Sequence, residues 1–317
     1  MAIVLPFART HTTHTGREHV MRYLMNAAGW AKTVEQVRML AKVPTLTHIV
    51  MGSFTVEPRE GNTGGTNFNV TPDGTAVNSL GLPNGGMPYL KKHGEEMVKI
   101  AREARKRPVI SIAGFSPGEY KQLAQVTNDL GVLAEINIGC PNVHDGGHQK
   151  EIVSYNFDLL RATITAVVQA TPSSMTWIKP SPYANPMDRD RFVEVVRRYD
   201  FDAIVACNTF ANVSIYHEDG RSYLDVADNY AGMSGTALKW INLSQCRYYA
   251  QRLRGISVIG AGGIGSATRT DGTSSATQDV VDYGRVGCSG VQIGAAFFKN
   301  ENFRVFEEAA DAFVESP

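Results

Sequence analysis

Short apolar runs recur along the chain, each closing on small or polar residues, at 20–27, 47–51, 108–113, 132–138, 175–179, 203–207, 257–260 and 290–294. Runs of this length bounded by turn residues read as buried strands. Between them lie stretches of helical periodicity at 33–41, 94–106, 120–130, 156–170, 188–199, 242–253, 276–283 and 302–313. The clearest start is Ser116-Pro117-Gly118-Glu119, which sets a capping hydroxyl, a first-turn proline and an early acid ahead of Tyr120. Eight strands alternating with eight helices predict an α/β fold, a closed (β/α)8 TIM barrel forming a single domain over residues 1–317. An open doubly wound sheet is the alternative.

Some stretches break the alternation. Residues 53–92 form a long insertion after the second strand, punctuated by Gly61, Gly64, Gly65, Pro72 and Gly74. Its apolar stretch 77–82 predicts hairpins packed over the C-terminal mouth of the barrel. Segments 143–155 and 265–275 are too polar for a core and read as loops. Residues 7–20 carry His11, His14 and His19 but read as a flexible solvated arm. Long loops on a rigid barrel are where binding residues sit.

Composition narrows the partners. Lys+Arg and Asp+Glu both total 31, so no basic field gathers nucleic acid or an anionic membrane surface. No run approaches a membrane span, and the opening residues 1–6 are too short and uncharged for a signal peptide. Cysteines 140, 207, 246 and 288 form no Cys-x-x-Cys pair, which argues against a zinc ribbon or a disulfide framework. The expectation is a cytoplasmic protein whose partners are small molecules or a second copy of itself, with no metal.

Candidate chemistry gathers where strands end. After the fourth strand comes Asn137-Ile138-Gly139-Cys140-Pro141-Asn142, in which a proline-locked turn holds a thiol between two amides. Packing as a small hydrophobe is the commoner fate of a cysteine. His144 and His148 complete a Cys-x3-His-x3-His string, but a glycine-containing loop leaves its geometry open. Lys179 closes the fifth strand and needs an anion, an electron-rich ring or a core carboxylate as partner. Asn208-Thr209 follow the sixth. The seventh strand runs into Gly260-Ala261-Gly262-Gly263-Ile264-Gly265, a literal dinucleotide pattern in the wrong setting, because a polar stretch rather than a helix follows. Gly262, Gly263, Gly294 and Ala295 instead stand on the two loops where barrels bind phosphate.

Taken in register, Met25-Asn26-Ala27-Ala28-Gly29, Arg59-Glu60-Gly61-Asn62, 78–84, Ser111-Ile112-Ala113-Gly114, the Cys140 loop, Lys179, Asn208-Thr209, 232–235, 260–263 and Gln292-Ile293-Gly294 resemble the dihydroorotate dehydrogenase family. The likeness is to its soluble class, which uses cysteine as base. The resemblance implies an FMN-containing homodimer of pyrimidine biosynthesis that oxidises dihydroorotate to orotate. Cys140 would take a proton from one ring carbon while the neighbouring carbon passes hydride to flavin N5. Asn78, Asn137, Asn142, Asn208 and Thr209 would hold the dihydropyrimidine ring, under the backbone of Leu80, Gly81 and Leu82. Ala27, Ala28, Gly29, Ser53, Asn78, Asn137 and Lys179 would contact the flavin. Gly235, Gly262, Gly263, Gly294 and Ala295 would take the ribityl phosphate.

One departure bears on the substrate. Where the family has a Lys-Ser pair after the second strand, this chain reads Gly52-Ser53. A charge-assisted bond contributes about 1.5–3 kcal/mol, so without a replacement orotate binds roughly tenfold or more weakly. Arg59 and Lys150 are the replacement cations expected, and Gly52→Lys would shift preference toward the acid. The alternatives are a reductase of a neutral dihydropyrimidine, another FMN ene-type oxidoreductase, or a flavin-free barrel for a phosphosugar or another phosphate ligand. The electron acceptor stays open between fumarate, NAD through a separate subunit, and another soluble oxidant.

Overall fold

The alternating pattern closes on itself. The computed structural model describes residues 9–12, 18–145, 148–226, 231–268, 274–298 and 301–314. Its parallel barrel strands are β1 (Tyr23–Asn26), β2 (His48–Phe54), β3 (Arg107–Ile112), β4 (Leu133–Asn137), β5 (Thr176–Lys179), β6 (Ala203–Ala206), β7 (Ser257–Ala261) and β8 (Gly290–Ile293). Gly290 stands opposite Tyr23 and Ile293 opposite Asn26, so β8 pairs with β1. That pairing closes the sheet and excludes the open doubly wound alternative.

Helices α1 (Val34–Ala41), α2 (Gly86–Glu103), α3 (Pro117–Asp129), α4 (Phe157–Val168), α5 (Pro186–Val196), α6 (Thr236–Arg252), α7 (Ala276–Arg285), the short α8 (Ala295–Phe298) and α9 (Arg304–Val314) lie between and after the strands. Ser116 caps α3 as expected, its hydroxyl accepting from the Glu119 N–H at 3.2 Å. Thr33 and Gln36 form a capping box that fixes the entry to α1.

Helix α2 starts earlier than its periodicity suggests, so the insertion ends at Gly85. Asn84 Oδ1 accepts the Gly86 N–H at 2.8 Å, and Pro88 falls in the first turn, where an N–H has no partner within the helix. The polar arm is also more ordered than expected, since Arg9–Thr12 and Glu18–Met21 pair antiparallel ahead of the barrel. The first apolar run accordingly breaks at Arg22, whose N–H donates to the Ser289 carbonyl at 2.6 Å. The loop at 143–155 contains a two-residue hairpin, His144–Asp145 against His148–Gln149. The side chains of His11, His14, His19, His144 and His148 lie outside the described residues.

A four-stranded antiparallel sheet contributes to the roof of the mouth. Phe68–Val70 and Thr75–Asn78 come from the expected insertion, while Phe210–Val213 and Ala231–Gly235 come from a second insertion after β6. The second was not legible as strand, because 210–213 is only half-buried and alternates weakly.

Candidate active site

Period-two alternation decides what reaches the mouth. On β4, Leu133, Glu135 and Asn137 share one face, so the barrel interior passes from apolar to polar toward the strands' C-terminal ends. Leu133 packs with Val109, Trp177 and Val205 in the lower layer.

Above that layer runs a continuous polar chain. Glu135, fully buried, accepts from Ser111 Oγ at 3.0 Å and from Gln292 Nε2 at 2.6 Å. Gln292 Oε1 accepts from Lys179 Nζ at 2.7 Å, and that ammonium lies 3.8 Å from Glu135. The Ser111 proton is committed to Glu135, so across the 2.9 Å contact between the hydroxyls Ser53 donates to Ser111. Ser53 Oγ accepts from Asn137 Nδ2 at 3.0 Å, and Asn137 Oδ1 accepts from Asn208 Nδ2 at 2.7 Å. The core carboxylate considered for Lys179 is therefore present, and Lys179 still lines the cavity.

A second chain of amides holds the thiol loop. Cys140 Sγ lies 3.3 Å from Asn142 Oδ1, whose amide donates to Asn78 Oδ1 at 2.6 Å and to the Asn78 carbonyl at 2.9 Å. Asn62, quoted only as part of a motif, donates to the Asn142 carbonyl at 2.8 Å and so ties the insertion to the loop. Burial pushes the Cys140 thiol up to about 11, against the pull of the Asn142 backbone N–H and the charges of Arg59 and Lys32.

These groups open onto one cavity of about 1030 Å³ including its mouth. Of the site residues expected from sequence, all but Gly81 line it. Gly81 is a turn position: at φ +71° a Cβ there would lie 2.2 Å from Asn62 Oδ1, and its carbonyl accepts from Arg59 Nε at 3.0 Å. The sequence reading missed Lys32, Gln292 and Phe298 on the wall, and Glu135 and Ser111 behind it. A carboxylate inside the apolar run at 132–138 was a legible signal for Glu135. Lys32 had none, since the residue before a helix cap is ordinarily solvated.

The far end of the cavity is bare backbone. A Cβ on Gly263, at φ +74°, would come 2.9 Å from the Gly235 carbonyl oxygen, so two glycine loops press together there. No helix opens at Gly265, because the next begins at Ala276, and the dinucleotide reading stays excluded. Gly294 keeps the adjoining wall flat, its nearest neighbour to a hypothetical Cβ being Ala27 Cβ at 3.4 Å. Thr209 Oγ1 is buried and has no partner within the described protein, as suits a hydroxyl reserved for a ligand. A flat wall, a glycine cradle and a buried lysine between them fit FMN.

Position 52 holds no side chain for steric reasons. Gly52 has φ +106°, and a Cβ would lie 2.4 Å from the Ser111 carbonyl oxygen and 2.8 Å from the Phe54 nitrogen. The expectation that Gly52→Lys would supply a cation is thus corrected. Arg59 and Lys150, the replacement cations expected, do not line the main cavity; both lie over Phe115, at 5.1 and 4.2 Å from its ring centroid.

Comparison with known proteins agrees with this geometry. Residues 13–312 match the family described as dihydroorotate dehydrogenase. The chain is 31% identical to the catalytic subunit of dihydroorotate dehydrogenase B (NAD(+)) from Desulforamulus reducens, over 80% of this chain and 76% of that protein. It is 27% identical to a probable dihydroorotate dehydrogenase A (fumarate) from Streptococcus pneumoniae, over 87% of this chain and 83% of that protein. The fold matches the dihydroorotate dehydrogenase of Eimeria tenella, solved with ferulenol, at a TM-score of 0.72 and 17% identity, covering 91% of this chain and 79% of that one. The chain belongs to the dihydroorotate dehydrogenase family.

Proposed function

We propose that the protein oxidises dihydroorotate to orotate with FMN, as a step of pyrimidine biosynthesis. The observation that carries this reading is the convergence of Cys140, Asn78, Asn137, Asn142 and Asn208 on a cavity whose other end is glycine backbone. The amides offer donors and acceptors matched to a flat ring of alternating carbonyl and N–H groups. Cys140 Sγ takes the proton from one ring carbon. Bound FMN supplies the acceptor for the hydride leaving the neighbouring carbon. Lys179 would favour negative charge on the reduced ring, and Glu135 keeps that lysine from being an unmatched buried charge.

Anaerobic mixing of the FMN-loaded protein with dihydroorotate tests this reading, with bleaching of the flavin bands as the expected result. No bleaching with dihydroorotate but bleaching with dihydrouracil would replace it with the neutral-ring reading, which the bare position 52 favours. Among the described residues no helix is long and apolar enough to cross a membrane. A homodimer is inferred from the family resemblance, and a cytoplasmic location from four cysteines without a disulfide pattern; sedimentation at twice 34.6 kDa tests the dimer.

A further inference from the structure

A carboxylated ring entering this cavity gains from a cation beside it, and position 52 has no room for one. We propose that Lys32 selects a carboxylated ring over a neutral one, its ammonium facing the substrate carboxylate. The inference rests on the function proposed above and names the residue that sets its substrate class.

Backbone geometry brings Lys32 to this position. The Gly52 N–H donates to the Ala31 carbonyl at 2.8 Å, and the Gly29 N–H donates to the Gly52 carbonyl at 2.6 Å. The loop that carries Lys32 is therefore laced onto residue 52 itself. The Lys32 and Thr33 N–H groups both donate to Gln36 Oε1, at 2.9 and 3.1 Å, which pins the backbone at the mouth of α1. The side chain lines the same cavity as Cys140, Leu82 and Asn142.

The other cations near the site are engaged. Lys179 is matched by Glu135, and Arg59 and Lys150 lie over Phe115. Among the described residues no carboxylate pairs with Lys32, which lines the cavity together with the Cys140 thiol. An ammonium partly withdrawn from water with no carboxylate beside it gains most from a ligand that brings one.

The test is calorimetric titration of the FMN-loaded wild type, Lys32→Met and Lys32→Arg with orotate and with uracil. The expected result is a loss of at least about tenfold in orotate affinity for Lys32→Met, no change for uracil, and recovery of most of the loss in Lys32→Arg. Wild-type orotate affinity in Lys32→Met would overturn the inference, as would a parallel fall for both rings, the mark of a distorted loop. Binding of neither ring by the wild type would overturn this inference together with the pyrimidine reading beneath it. If Lys32→Met fails to fold, unaltered orotate selectivity in Lys32→Gln overturns the proposal equally.

Discussion

Gly52 donates its backbone N–H to the carbonyl of Ala31 at 2.8 Å, so the loop after β1 is stitched to the end of β2. Position 52 has no room for a Cβ, which would sit 2.4 Å from the Ser111 carbonyl oxygen at a φ of +106°. Gly52→Ala should therefore lower stability by about 1–3 kcal/mol, the cost of a side chain forced into left-handed, crowded backbone. Urea denaturation measures this, and an unchanged midpoint would show that the contact yields. Gly52→Lys should suffer the same loss and bring no gain in orotate affinity.

Cys140→Ala should keep FMN bound, because the glycine loops at 235 and 262–263 lie apart from the thiol, while flavin reduction by dihydroorotate collapses. A serine there should retain some turnover, mostly at high pH, since a hydroxyl gives up its proton less readily than a thiol. Reduction of the alanine variant at the wild-type rate would remove Cys140 from the mechanism.

Burial raises the Cys140 thiol to about 11, so the base form is scarce near neutrality. A base must be deprotonated to act, so the reduction rate in stopped flow should climb with pH across the alkaline range, by up to about tenfold per pH unit. A rate flat from pH 7 to 9 would mean that proton transfer to Cys140 is not limiting.

Lys32 is held down at about 8 by burial, which disfavours its charged form. It loses its charge as pH rises through that value, well below the range where Cys140 titrates. Orotate affinity of the wild type should fall between pH 7 and 9, with bound carboxylate shifting the fall upward, whereas Lys32→Arg should hold its affinity over the same range. Parallel pH profiles for the two proteins would contradict the role of Lys32.

Glu135 and Lys179 form a buried ion pair, with side chains 0% and 7% exposed. Removing Glu135 alone, as Glu135→Leu, leaves the ammonium uncompensated and should cost about 3–5 kcal/mol, whereas Glu135→Leu with Lys179→Met should cost less than the sum of the singles. Additive losses would show that the pair is not coupled. Lys179→Met should also lower the midpoint potential of the bound flavin in spectroelectrochemistry.

Much of this protein was legible in the chain because its determinants are local. Short apolar runs closing on small or polar residues marked the eight barrel strands, Ser116 and Pro117 marked the start of α3, and a proline beside Cys140 marked a fixed turn. Nearly every residue that motif order picked out lies on the cavity wall, since strand ends of a closed barrel converge whatever their separation in sequence. Packing across the barrel decided the rest. Glu135, Gln292 and Lys179 come from three strands, and only closure turns three polar interruptions of apolar runs into one neutralised network. The strand at 210–213 acquires its structure from pairing with Ala231–Gly235, a long-range contact that no local preference encodes. Gly52 read as a missing charge, yet its reason is the Ser111 carbonyl on the neighbouring strand, and the loop that carries Lys32 is tied to it through Ala31. Hydrogen bonds from Gly52 to Ala31 and from Gly29 to Gly52 decided that placement, and such bonds leave no mark on the residues that make them.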